Sequence, residues 1–66
     1  MKRINLKIFR IKNDLTQEEI AERLGISKSH YTAVELGKVD PSVALLEKFS
    51  KVFNYDDIWQ LFKKGE

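Results

Sequence analysis

The sequence predicts an all-α domain of five short helices, and three observations carry that expectation. Apolar residues recur at three- and four-residue spacing over most of the chain. Residues suited to capping a helix stand where those stripes begin, at Thr16, Ser27, Ser42 and Asp56. Residues that end helices, Asn13, Gly25, Gly37 and Asn54, stand where the stripes stop. Period-two alternation occurs only across Met1 to Ile8, where Ile4, Leu6 and Ile8 alternate with polar residues, and a short terminal strand is the competing expectation there.

The first helix is expected from about Asn5 to Asn13, with Leu6, Phe9 and Ile8 inward. Thr16 and Glu19 open the second as a capping box, in which the hydroxyl accepts from the third helical N–H and the carboxylate reaches back to the cap. Ile20, Ala21 and Leu24 form its buried stripe, and Gly25 supplies a left-handed residue at its end. After Ile26, Ser27 caps a third helix from Lys28 to Leu36 that turns Tyr31 and Val34 inward. Two helices joined by a glycine-containing turn over Thr16 to Gly37 make a helix-turn-helix, the unit that lays its second helix in a DNA major groove. Lys38 to Pro41 is a loop. Ser42 then caps a fourth helix whose Val43, Leu46, Phe49 and Val52 or Phe53 are placed on the buried face. Asp56 caps a short fifth helix crowded with Ile58, Trp59, Leu61 and Phe62, and Asp57 suits its positive end.

Sixty-six residues allow one small domain, residues 1–66, with a thin margin of stability. A 42% hydrophobic content, with one tryptophan, two tyrosines and four phenylalanines, still supports a core. There is no cysteine, which excludes disulfides and thiolate metal sites, and a single histidine makes no metal site. No cofactor is expected. No apolar run approaches the ~20 residues of a membrane span and no secretory pattern opens the chain, so a cytoplasmic protein without membrane association is expected. The net charge of +2 is uninformative, but its distribution is not. Lys2, Arg3, Lys7, Arg10 and Lys12 crowd the first twelve residues, and Asp14, Glu18, Glu19 and Glu22 follow as an acidic block. These are either solvated helix faces or a basic edge that meets phosphates while the acidic face looks away.

With LTQEEIAERLGIS at Leu15 to Ser27, Glu35 followed by Gly37, and DPS at Asp40 to Ser42, the chain resembles a phage-repressor/Cro-type helix-turn-helix domain. That kind of domain is also found in restriction-modification controllers and small bacterial regulators. The resemblance extends over about residues 5 to 62 and implies a compact five-helix, lambda-repressor-like fold that binds double-stranded DNA. It assigns Ser27, Lys28, Ser29 and Ala33 to base reading, with Lys28 the best donor to guanine and Ala33 limited to apolar contact. Thr16 and Gln17 at the second helix start, with His30, Thr32 and Lys38, are assigned to phosphates. Arg10 and Glu35 match a pair that bridges the first and third helices, which costs roughly 3–5 kcal/mol to break when desolvated. Two departures stand out: Tyr31 occupies a place where a smaller aliphatic is usual, and Phe53 to Ile58 is a shortened connection.

The function expected from this resemblance is a sequence-specific transcriptional regulator, a repressor or controller, that binds a palindromic operator as a homodimer. Tyr55, Trp59, Leu61 and Phe62 supply more apolar surface than a short helix buries alone, and they are the expected dimer interface, against the alternative that Trp59 plugs the core. A second class is an antitoxin-type interaction module that retains the same DNA-binding core; the five helices leave little chain for the neutralising extension such a module needs. An enzyme is not expected, because His30, Ser27 and Ser29 share one exposed helix end without an activating pocket. No effector site is evident, and the operator, the regulated gene and the choice between repression and activation are not encoded legibly.

Overall fold

Five helices follow one another in the expected order: α1 (Ile4–Lys12), α2 (Gln17–Leu24), α3 (Lys28–Glu35), α4 (Val43–Phe53) and α5 (Ile58–Phe62). The computed structural model describes residues 1–64, and among these there is no strand. The alternation near the start gives way to helix from Ile4. Leu6 is fully buried and Phe9 half-buried beside it, whereas Ile8 is exposed, contrary to its expected inward place. At 3.6 residues per turn Ile8 falls opposite Leu6, and only the three-residue step to Phe9 keeps to the core face.

The local signals at the next three helix starts act as their chemistry dictates. Thr16 Oγ1 accepts from the Glu19 N–H at 3.0 Å, and the Glu19 carboxylate accepts from the Thr16 N–H at 2.8 Å. The backbone bond from Thr16, followed by its hydroxyl, holds the Glu19 carboxyl below its ordinary range. Gly25 ends α2 at φ 73°, a conformation that costs glycine little. Ser27 Oγ accepts from the His30 N–H, and Ser42 Oγ from the Leu45 N–H, each at 3.0 Å. The fifth start differs from expectation. Asp57, not Asp56, is the N-cap of α5 and makes no side-chain cap bond, while the Asp56 carbonyl accepts from the Ile58 N–H at 3.0 Å.

α2 packs on α3 and α4, and α1 packs on α3 and α5, so α1 and α2 together enclose the core. Leu6, Ile20, Tyr31, Val34 and Phe49 are its fully buried large side chains. On α4 the buried residues are Leu45 and Phe49, four apart, with Leu46 and Phe53 half-covered. Val43 and Val52, expected inward, are exposed, Val43 by 72%. The stripe therefore starts from Leu45, one side of the helix away from the register that Val43 sets. Leu61 and Phe62 close the core from α5. The aromatic rings meet at this end: Phe9 lies 5.2 Å from Phe49, 5.3 Å from Phe53 and 5.4 Å from Tyr55, and Phe49 lies 5.2 Å from Phe62 with the rings perpendicular. None of the helices is long and apolar enough to cross a membrane.

Arg3 has a place that no spacing rule foretells. Counted in sequence with the basic edge, it is 3% exposed and ties the chain start to three segments. Its Nε donates to the Phe62 carbonyl at 2.8 Å, and its Nη1 to those of Val34 and Val39 at 2.6 and 3.1 Å. Its Nη2 reaches the Asp40 carboxylate at 2.9 Å. This bond, then the nearby Lys64 ammonium, keeps the Asp40 carboxyl below its ordinary range. The Arg3 N–H also donates to the Glu35 carbonyl at 2.8 Å, which satisfies an end-of-helix carbonyl of α3. Gly37, at φ 80°, lies so close to Met1 that a Cβ would strike the Met1 carbonyl.

Candidate nucleic-acid interface

Helix α3 is held from beneath by one carboxylate. Glu35, at the end of α3, is 4% exposed, and each of its oxygens accepts more than one bond. Oε2 receives Arg10 Nε at 2.9 Å and the Tyr31 hydroxyl at 2.7 Å. Oε1 receives Gln17 Nε2 at 3.2 Å and Arg10 Nη2 at 3.3 Å. Burial pushes the Glu35 carboxyl up, but the bonds from Arg10, Tyr31 and Gln17 and the attraction of Arg10 outweigh it, so its pKa lies below the ordinary value. The same pair raises the Arg10 guanidinium, its bond to Glu35 being the largest cause. Arg10 Nη1 also donates to the Leu15 carbonyl at 2.9 Å, fixing the α1–α2 connection. Tyr31 is the departure that this arrangement explains. Its ring fills the core and its hydroxyl ends on the carboxylate; burial first, then that bond, push the phenol pKa up. No buried side-chain nitrogen or oxygen among the described residues lacks a partner.

Above this hub, α3 turns its other side to solvent. Ser27, Lys28, Ser29 and His30 are all exposed at its N-terminal end, and Thr32 and Ala33 are half-exposed one turn on. Lys28, Ser29, Thr32 and Ala33 line one shallow groove of about 350 Å³ with Leu36 and Lys38. Four of the expected base and phosphate residues thus share one surface with Lys38, while Ser27 and His30 stand at its end. Ser27 is partly committed: its oxygen caps the helix, leaving chiefly its O–H as a donor. Lys28 and Ser29 carry no such duty. Thr16 N–H is taken by the capping box, but the first-turn N–H groups of Gln17 and Glu18 lie outside it. Gln17 donates one amide hydrogen to Glu35 and keeps a second. Such a helix start suits a phosphate oxygen.

Comparison with known proteins decides what this surface belongs to. The helix-turn-helix family model matches residues 6–60. The chain belongs to the helix-turn-helix family of transcriptional regulators. It is 46% identical over 48 residues, 73% of each chain, to an uncharacterised HTH-type transcriptional regulator of Methanocaldococcus jannaschii. An uncharacterised HTH-type regulator of Archaeoglobus fulgidus is 42% identical over 52 residues, 79% of this chain and 73% of its own. A transcriptional repressor of the cryptic phage CTXphi from Vibrio cholerae is 35% identical over 48 residues, 73% of this chain and 43% of its own. No solved structure matches the chain at a significant level. The regulator is thus a transcription factor with a helix-turn-helix DNA-binding domain.

The residues expected to pair two copies of the regulator separate in the structure. Leu61 and Phe62 belong to the core, Tyr55 is half-buried among the phenylalanines, and Trp59 is 81% exposed. Trp59 is therefore no core plug. It borders a groove of about 560 Å³ with Pro41, Val43, Leu46 and Phe62, whose remaining lining is the charged set Arg3, Asp40, Lys63 and Lys64. Val43 is an interface candidate that sequence reasoning placed on the buried face, because helical spacing alone does not say which apolar stripe a neighbour covers; Leu46 packs against the core as expected and also borders the groove.

Proposed function

We propose that the regulator binds a palindromic operator as a homodimer, each copy reading one half-site with the N-terminal end of α3. The observation that supports this most is the groove in which Lys28, Ser29, Thr32, Ala33 and Lys38 come together over the Glu35 hub. Lys28 is the principal base reader and donates to guanine O6 and N7; Ser29 is a shorter-range donor or acceptor; Ala33 offers a methyl to thymine. Thr16, Gln17, His30, Thr32 and Lys38 take phosphates, Gln17 with the amide hydrogen that Glu35 leaves free. So few reading side chains discriminate poorly alone, and two copies on half-sites ~10–10.5 bp apart supply the rest. Trp59, with Val43, Leu46, Pro41 and Phe62, is the surface through which the copies pair.

Selection of bound duplexes from a random pool tests the operator, and sedimentation over a concentration series tests the pairing. The expected results are an enriched palindrome with that half-site spacing and a monomer–dimer equilibrium that Trp59→Ser abolishes. An enriched site without dyad symmetry, or a Trp59→Ser variant that still dimerises, contradicts the corresponding part.

A further inference from the structure

The five cations near the chain start do not act as one basic edge. Arg3 and Arg10 are already paired within the chain, Arg3 with the exposed Asp40 and Arg10 with the buried Glu35. Lys12 lies in a different cleft, beside Asn5, Ile8 and Tyr55. Lys2 and Lys7 remain, both exposed and, among the described residues, in no ion pair. They line a cleft of about 300 Å³ whose floor is Arg10, Gln17, Glu35 and Leu36. Lys7 precedes Arg10 by three residues, so the two share one face of α1. Lys7 therefore lines the same cleft as the hub residues Arg10, Gln17 and Glu35.

Leu36 also lines the groove of Lys28, Ser29 and Lys38, so the two depressions adjoin. That groove has no acid in its lining, and the cleft has only Glu35, which is buried and already bonded to Arg10, Tyr31 and Gln17. The acids of α2 outside the hub line neither. Hence Lys28 and Lys38 line one, and Lys2 and Lys7 the other, of two adjoining depressions whose only acid is internally neutralised. An ammonium on a flexible stem suits a phosphate, which it meets as a point charge without base selectivity.

We propose that Lys2 and Lys7 form a phosphate clamp that continues the DNA-contact surface past Gln17, gripping the sugar–phosphate backbone beside the stretch read by α3. The proposal rests on the DNA-binding surface proposed above and adds two contacts that supply affinity without sequence preference.

The test uses fluorescence anisotropy of a mixed-sequence DNA duplex two helical turns long, titrated with the full chain between ~50 and ~200 mM salt. Three proteins are compared: the unaltered regulator, Lys2→Ala/Lys7→Ala, and Lys48→Ala/Lys51→Ala, the last with equal charge loss on exposed α4 positions. Each lost phosphate contact makes the log–log salt slope shallower by ~0.9, so the first double variant should lose about 1.8 per copy and the second nothing. All four lysines are exposed, so the melting temperatures should match, and a thermal scan verifies that both variants are folded. An unchanged slope in Lys2→Ala/Lys7→Ala, or an equal loss in both variants, overturns the clamp while leaving DNA binding intact. No binding by the unaltered regulator at any salt overturns the DNA-contact surface itself, and the clamp with it.

Discussion

The two ends of the molecule are held by opposite means. Beneath α3, one carboxylate takes four bonds from three other side chains, and those side chains come from α1, α2 and α3. At the far end, Phe9, Phe49, Phe53, Tyr55 and Phe62 stack edge and face with no ion pair among them. Hydrogen bonds to a charged group are directional, so the first end fixes how α3 sits on α1 and α2. Ring packing fixes volume more than angle, and Val43 and Trp59 stay exposed beside it. The proposed base reading by α3 needs orientation held tightly, whereas the proposed pairing of two copies needs apolar area.

This contrast is open to being broken by substitution. The largest losses should come from the centre of each end. Phe49→Ala removes a fully buried ring and should cost ~3–5 kcal/mol in denaturant unfolding. Glu35→Ala strands the Arg10 guanidinium and should cost a similar ~3–5 kcal/mol. On a fold of this size either is a large share of the total. What separates the two is pH. Glu35 has a folded pKa below its ordinary 4.5, so its contribution is complete above that value and is lost as the pH falls below it. Tyr31 has a raised pKa, so the share contributed by its neutral phenol is complete below its ordinary 10.0 and is lost as the pH rises above it. Urea melts from acid to alkaline pH should show the Phe49→Ala decrement constant, and the Glu35→Gln decrement shrinking toward acid.

Smaller effects sharpen the contrast. Tyr31→Phe keeps the ring and removes one bond to a charged acceptor, which should cost about 1.5–3 kcal/mol and weaken specific more than nonspecific DNA binding. Ser42→Ala removes the α4 cap and should cost ~1 kcal/mol with no pH dependence. Trp59→Ser should change the stability of the monomer by less than about 0.5 kcal/mol, because the ring is in solvent, while shifting sedimentation to monomer.

Much of the frame was legible because it is local. Thr16, Ser27 and Ser42 cap the helices that follow them, since a cap depends only on the next three residues. Arg10 and Glu35 were legible only through the family pattern, and they meet as it implies. What was not legible depends on neighbours distant in sequence. Val43 has the spacing of a core residue, but no element covers it; Arg3 looks like a surface cation, but the ends of α3 and α5 close over it. Nothing within a helix turn of either residue signals those outcomes. The same holds for Lys2 and Lys7, which separate from Arg3 and Arg10 only when the tertiary partners of the arginines are known.

The proposed base reading by α3 through Lys28 is tested most directly by in vitro selection run in parallel on the regulator and its Lys28→Ala variant. Both should enrich the same palindrome, with the variant losing preference at one position of each half-site, equivalent to ~1–3 kcal/mol there, and retaining the rest. A variant whose preference is unchanged at every position would contradict it.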